Sequence, residues 1–157
     1  MDQNLNNVFD KTLTEKQLTV FVIKHLQKYG YLVTSELVLD QKYFDIKKIT
    51  GKKVTKVRID IAAYKDNKIT FIEVENGLWL THPLLYRNFA NKVFLACPNS
   101  LPTTSDAEQI ELARTYGIGI ISLTINGSIK TVLKPIEKEI DPAITKAISN
   151  LIVKKFV

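Results

Sequence analysis

Between Val54 and Asn76 the chain alternates apolar and polar residues on both sides of a four-residue turn, a pattern that fixes a β-hairpin. Successive side chains of a strand leave opposite faces. Val57, Ile59, Ile61 and Ala63 are therefore expected on one face, and Arg58, Asp60, Ala62 and Tyr64 on the other. Lys65-Asp66-Asn67-Lys68 is the turn. On the returning strand, Lys68 to Asn76, residues Ile69, Phe71, Glu73 and Glu75 share a face, with Thr70, Ile72 and Val74 opposite. Two carboxylates that continue an apolar stripe are costly unless they are solvated at an edge, paired, or holding a cation. If the strands pair across Lys65 and Lys68, Asp60 lies opposite or nearly opposite Glu73. Three converging carboxylates suit Mg²⁺ or Mn²⁺, hard cations that favour oxygen. The plainer reading of the same residues is a set of surface charges at the end of a half-exposed strand.

The remaining pattern surrounds this hairpin with helices and further strands. Residues 1–13 read as a loose lead-in, and 14–157 as a single domain. Thr14 and Gln17 form a capping box for a helix over about 15–29, with Gly30 as its stop. Tyr31 to Leu39 reads as a strand and the polar stretch Asp40 to Lys53 as a connection. A second helix is expected from Thr81 to about Asn91, with Pro83 in its first turn. Lys92 to Cys97 reads as a strand buried on both faces. A helix capped by Ser105 and Glu108 then runs to Gly117. Ile118 to Thr124 and Ser128 to Leu133 form a hairpin around Asn126-Gly127. Asp141-Pro142 opens a last helix whose stripe is Ile144, Ala147, Ile148, Leu151 and Ile152. The fold class is α/β, a mixed central sheet flanked by helices.

Composition narrows the setting. The 157 residues carry 22 basic and 16 acidic side chains, a formal charge of +6, which favours polyanionic partners such as DNA. Lys47, Lys48, Lys52, Lys53, Lys56 and Arg58 crowd the approach to Asp60, where phosphate contacts would hold a nucleic-acid backbone. No apolar run approaches the ~18 residues of a membrane span, and no secretory signal is visible at the N-terminus. With one cysteine, Cys97, there is no internal disulfide. The expectation is a cytoplasmic protein that binds DNA and no membrane; the apolar last helix leaves a homodimer open.

Arg58 to Tyr64, the short turn, and Phe71 to Glu75 resemble the PD-(D/E)xK nuclease superfamily, of restriction-endonuclease-like fold. Its shared αβββαβ core corresponds to the elements expected over residues 15–97. The resemblance implies a Mg²⁺- or Mn²⁺-dependent endodeoxyribonuclease, with Asp60 on the motif's Asp and Glu73 on its second acid. It also implies a metal-binding Glu from the first helix, for which Glu15 is the nearest match, with Glu36 in reserve. The motif's final lysine is Glu75 here, as in a few restriction endonucleases, and an acid there can act as general base. His82 and Tyr86, four apart, occupy the spacing at which related nucleases carry a Gln and a Tyr; packing on the helix surface is the competing account. Trp79 is expected in the core, covering the sheet, with a wedge against a base as the alternative. The alternative to an active enzyme is a catalytically inactive module of the same fold that binds nucleic acid or a partner.

Overall fold

The computed structural model describes residues 13–98 and 106–156. The lead-in, apart from Leu13, and the Ser105 cap lie outside them. Helix α1 (Glu15–Lys28) opens on the capping box: Gln17 N–H donates to Thr14 Oγ1, and Thr14 N–H to Gln17 Oε1. Strand β1 (Leu32–Asp40) follows, then a short helix α2 (Ile46–Thr50) inside the stretch expected as a plain connection. Asp45 caps α2 through Lys48 N–H, and Ile46 is its buried residue. Strands β2 (Lys56–Lys65) and β3 (Lys68–Val74) form the expected hairpin. Asp66 and Asn67 both have positive φ, +53° and +63°, the turn geometry that suits the twist of two-residue hairpins.

Helix α3 (Thr81–Tyr86) is shorter than its expected reach to Asn91, and the chain enters β4 (Lys92–Pro98) through an irregular link. Helix α4 (Ala107–Tyr116), strands β5 (Gly119–Leu123) and β6 (Ile129–Leu133), and helix α5 (Pro142–Phe156) complete the chain. The six strands form one mixed sheet in the order β1-β2-β3-β4-β5-β6. β3, β4 and β5 run parallel to one another, and the outer pairings are antiparallel. Parallel neighbours require crossovers, which here contain α3 and α4.

Two apolar clusters cover the two sheet faces. The larger joins Ile69 and Phe71 of β3 to Ile46, Tyr86, Ala113, Ile148 and Ile152. The smaller joins Ile72 and Val74 to Leu18 and Val22 of α1, and it buries Leu13, which therefore belongs to the packed domain rather than to a loose lead-in. The stripe of α5 is turned inward, against the larger cluster.

One expectation for β2 fails. Val57 and Ile59 pack in the larger cluster, but Ile61 and Ala63 pack in the smaller one. The faces exchange at Asp60. Opposite it, Glu36 adopts φ +54°, between the pairs Ser35↔Ile61 and Leu37↔Ile59. The partner strand exchanges too, since Val33 lies in the smaller cluster and Leu37 and Leu39 in the larger. Both strands thus roll over together, and no residue is gained or lost in the register.

Candidate metal centre

The β2/β3 ladder is paired up to Ile61↔Ile72. One step further, where Asp60 and Glu73 would face each other, a side chain takes over: Val74 N–H donates to Asp60 Oδ2 at 2.9 Å. β3 itself continues against β4, since Glu75 N–H donates to the Ala96 carbonyl at 3.0 Å. Asp60, Glu73 and Glu75 thus lie at the point where β2 and β3 part, with the Asp60 carboxylate held by backbone.

Glu73 is 4% exposed, although Phe71 on its face is the last apolar residue before it. Its Oε1 lies 3.0 Å from His82 Nδ1, while its Oε2 is buried with no hydrogen-bond partner. Burial, then the charge of Asp60, pushes the Glu73 carboxyl up to about 7 from an ordinary 4.5, against the opposing effect of His82. An orphaned carboxylate oxygen in such a place is costly. Glu75 is partly exposed, and its pKa is raised by burial and then by the charge of Glu15 across from it.

His82 is the residue whose role the sequence understated. Helix-surface packing is the simpler expectation for it, but the structure turns its Nδ1 toward Glu73 and to 3.8 Å from Glu75 Oε1. Ligating atoms of Glu73, Glu75 and His82 all lie within 4.8 Å of one another, close enough to share one cation. Tyr86 holds the imidazole in place. Its ring stacks on His82 at 6.2 Å between centroids and meets Phe71 edge-on, while its hydroxyl donates to the Arg58 carbonyl. Burial, then the charges of Glu73 and Asp60, raises the Tyr86 pKa, so the hydroxyl stays protonated as a donor.

The other sequence candidates are distributed around this centre. Glu15, Glu36, Arg58 and Asp60 line a groove of about 530 Å³ beside α1. Arg58 Nη2 lies 3.7 Å from Asp60 Oδ1. The Glu36 carbonyl, with that of Ser35, accepts from Lys155 Nζ, so this lysine ties α5 to the point where β1 rolls over. Lys52, Lys53 and Lys56 are exposed. Trp79 is not in the core: it is 64% exposed, folded over Gly77, where a Cβ would come within 2.6 Å of the indole nitrogen. Cys97 is buried, and burial pushes its thiol up to about 12, consistent with an inert apolar filler.

Comparison with known protein families and with curated proteins finds no match. Among solved structures the chain is similar to a protein of unknown function from Silicibacter pomeroyi. The likeness covers 85% of this chain and 80% of that one, at 16% identity and a TM-score of 0.59. At that identity it speaks to the fold alone.

Proposed function

We propose that the chain is a metal-dependent endonuclease hydrolysing phosphodiester bonds in DNA, on a restriction-endonuclease-like fold. The observation that carries this reading is the buried Glu73 carboxylate, one oxygen orphaned, set among Asp60, Glu75 and His82. The element order α1, β1–β3, α3, β4 agrees with the αβββαβ core that the resemblance implies, with α2 as an insertion.

Glu73, Glu75 and His82 would hold a divalent cation, with Asp60 and Glu15 on its outer side. The chemistry such a cation supplies is polarisation of the phosphodiester and activation of water near neutral pH. An imidazole among the ligands favours Mn²⁺ over Mg²⁺, since nitrogen suits a softer ion. Glu75, where the resembled superfamily carries lysine, would take a proton from the attacking water. Asp60 is aimed by the Val74 N–H, with Arg58 beside its other oxygen. Arg58, Lys52, Lys53 and Lys56 would grip the phosphate backbone.

The test is cleavage of supercoiled plasmid, single strands, flaps and four-way junctions, each with Mg²⁺ and with Mn²⁺. Glu73→Gln preserves shape and is expected to reduce cleavage at least about 100-fold. Cleavage that survives in Glu73→Gln overturns the assignment.

One observation favours a second reading, a non-cleaving nucleic-acid-binding or partner-binding module. His82 Nδ1 already gives Glu73 a partner without any metal, and Glu75 stands where the resembled motif has lysine. That reading predicts salt-sensitive DNA binding unaffected by chelators, and no cleavage.

A further inference from the structure

A second groove, of about 640 Å³, lies beside α3, lined by His82, Thr50, Lys52, Arg87, Asn88 and Tyr116 among others. That volume is within the ~300–1,000 Å³ typical of ligand sites. Two features separate it from an ordinary surface crease. The Arg87 guanidinium lies over the Tyr116 ring, 4.8 Å from its centroid, and Tyr116 is itself 41% exposed. The second feature is uncompensated positive charge. Arg87 stands close enough to Lys138 that its charge adds to burial in lowering the lysine's pKa. Among the described residues neither cation has a carboxylate within 4.0 Å. Lys138 is held instead by Asn88 Oδ1, and the Asn88 amide donates to the Ile49 carbonyl. Lys68 and Lys92, by contrast, share Glu137. Like charges kept side by side without an acid suit an anionic ligand.

We propose that this groove holds a single-stranded segment of nucleic acid, with phosphates at Arg87 and Lys52 and a base stacked on the Arg87–Tyr116 pair. The proposal rests on the nuclease reading and names its substrate class: DNA with an unpaired segment rather than continuous duplex. A guanidinium plane over an aromatic ring offers a flat surface that only an unstacked base can cover. In a duplex both faces of each base are already occupied by neighbours. Because His82 both lines the groove and belongs to the carboxylate cluster, a strand lying in the groove would pass beside the carboxylates.

The experiment is fluorescence anisotropy in EDTA, with a labelled thymidine oligomer of about 12 nucleotides and a duplex of equal length. The wild type is expected to bind the single strand about tenfold more tightly than the duplex. Tyr116→Leu keeps apolar bulk and is expected to lose about tenfold on the single strand, leaving the duplex unchanged. Arg87→Lys keeps the charge and loses the plane, so it is expected to weaken the single strand at an unchanged salt slope. Equal affinity for strand and duplex overturns the proposal. So does single-strand affinity that is unchanged in both variants while their melting temperatures stay native. Tyr116-dependent binding without cleavage on any substrate would keep the groove and remove the nuclease reading. Glu73-dependent cleavage with Tyr116-independent binding would do the reverse.

Discussion

At the residue scale, the burial of Glu73 and the metal-holding role proposed for it pull in opposite directions. Its folded pKa of about 7 lies above the ordinary 4.5, so folding favours its protonated form. The stability tied to that proton is complete below about pH 4.5 and is lost as pH rises through 7. The difference is on the order of 3 kcal/mol for a group this buried. Metal-free protein is therefore expected to melt at a higher temperature at pH 5.5 than at pH 8. Glu73→Gln, which cannot ionise, is expected to raise the melting temperature at pH 8 while losing cleavage. Thermal denaturation of both proteins with chelator at the two pH values checks this; a variant that is less stable than wild type at pH 8 would contradict it. His82 shows why the residue scale was only half legible in the sequence. Glu73 and Glu75 stand out because charge interrupts an apolar stripe. A histidine in a Pro-containing turn interrupts nothing, and its approach to Glu73 depends on the tertiary path between β3 and α3.

At the element scale, α1 and the paired roll of β1 and β2 position the outer carboxylates. The Thr14 cap fixes the first turn of α1, where Glu15 stands. Thr14→Ala is expected to cost about 1 kcal/mol, a fall of roughly 2–4 °C in melting temperature. Glu36 is held at positive φ, a conformation that costs a side-chain-bearing residue about 1–2 kcal/mol. Glu36→Gly is thus expected to stabilise the fold by roughly 0.5–1 kcal/mol. If Glu36 is a backbone pivot and not a ligand, cleavage by this variant stays at the wild-type rate; a loss of activity would restore it as a metal-binding residue. The capping box, the Asp66-Asn67 turn and the strand order around them could be read directly, because each rests on local chemistry. The exchange of faces at Asp60 could not. Alternation of Val57, Ile59, Ile61 and Ala63 looks unbroken, since both sides of this sheet are apolar and the pattern carries no sign of which side each residue meets. Helix α2 was hidden for a related reason, as a single buried residue, Ile46, gives no periodicity to detect.

At the scale of the whole molecule, an ion bound at the proposed centre would be linked to folding. A cation that binds the native carboxylates and not the unfolded chain stabilises by RT ln(1 + [L]/Kd). Mn²⁺ at about 100 times its Kd is expected to add about 2.7 kcal/mol. That gain should be larger at pH 8 than at pH 5.5, where Glu73 holds its proton. Differential scanning fluorimetry across a Mn²⁺ titration measures it, and an identical shift in Glu73→Gln would disconnect the ion from this site. The parallel pairing of β3 with β4 adds a consequence in time. The β2–β3 hairpin closes through the tight Asp66-Asn67 turn, so Asp60 and Glu73 come together early in folding. The Glu75 N–H finds the Ala96 carbonyl only after the chain has travelled through α3 and returned, and His82 lies on that journey. Secondary structure would thus be largely in place before the ion-binding set is complete. In a refolding experiment, Mn²⁺ uptake would lag behind the backbone signal and mark the final docking step.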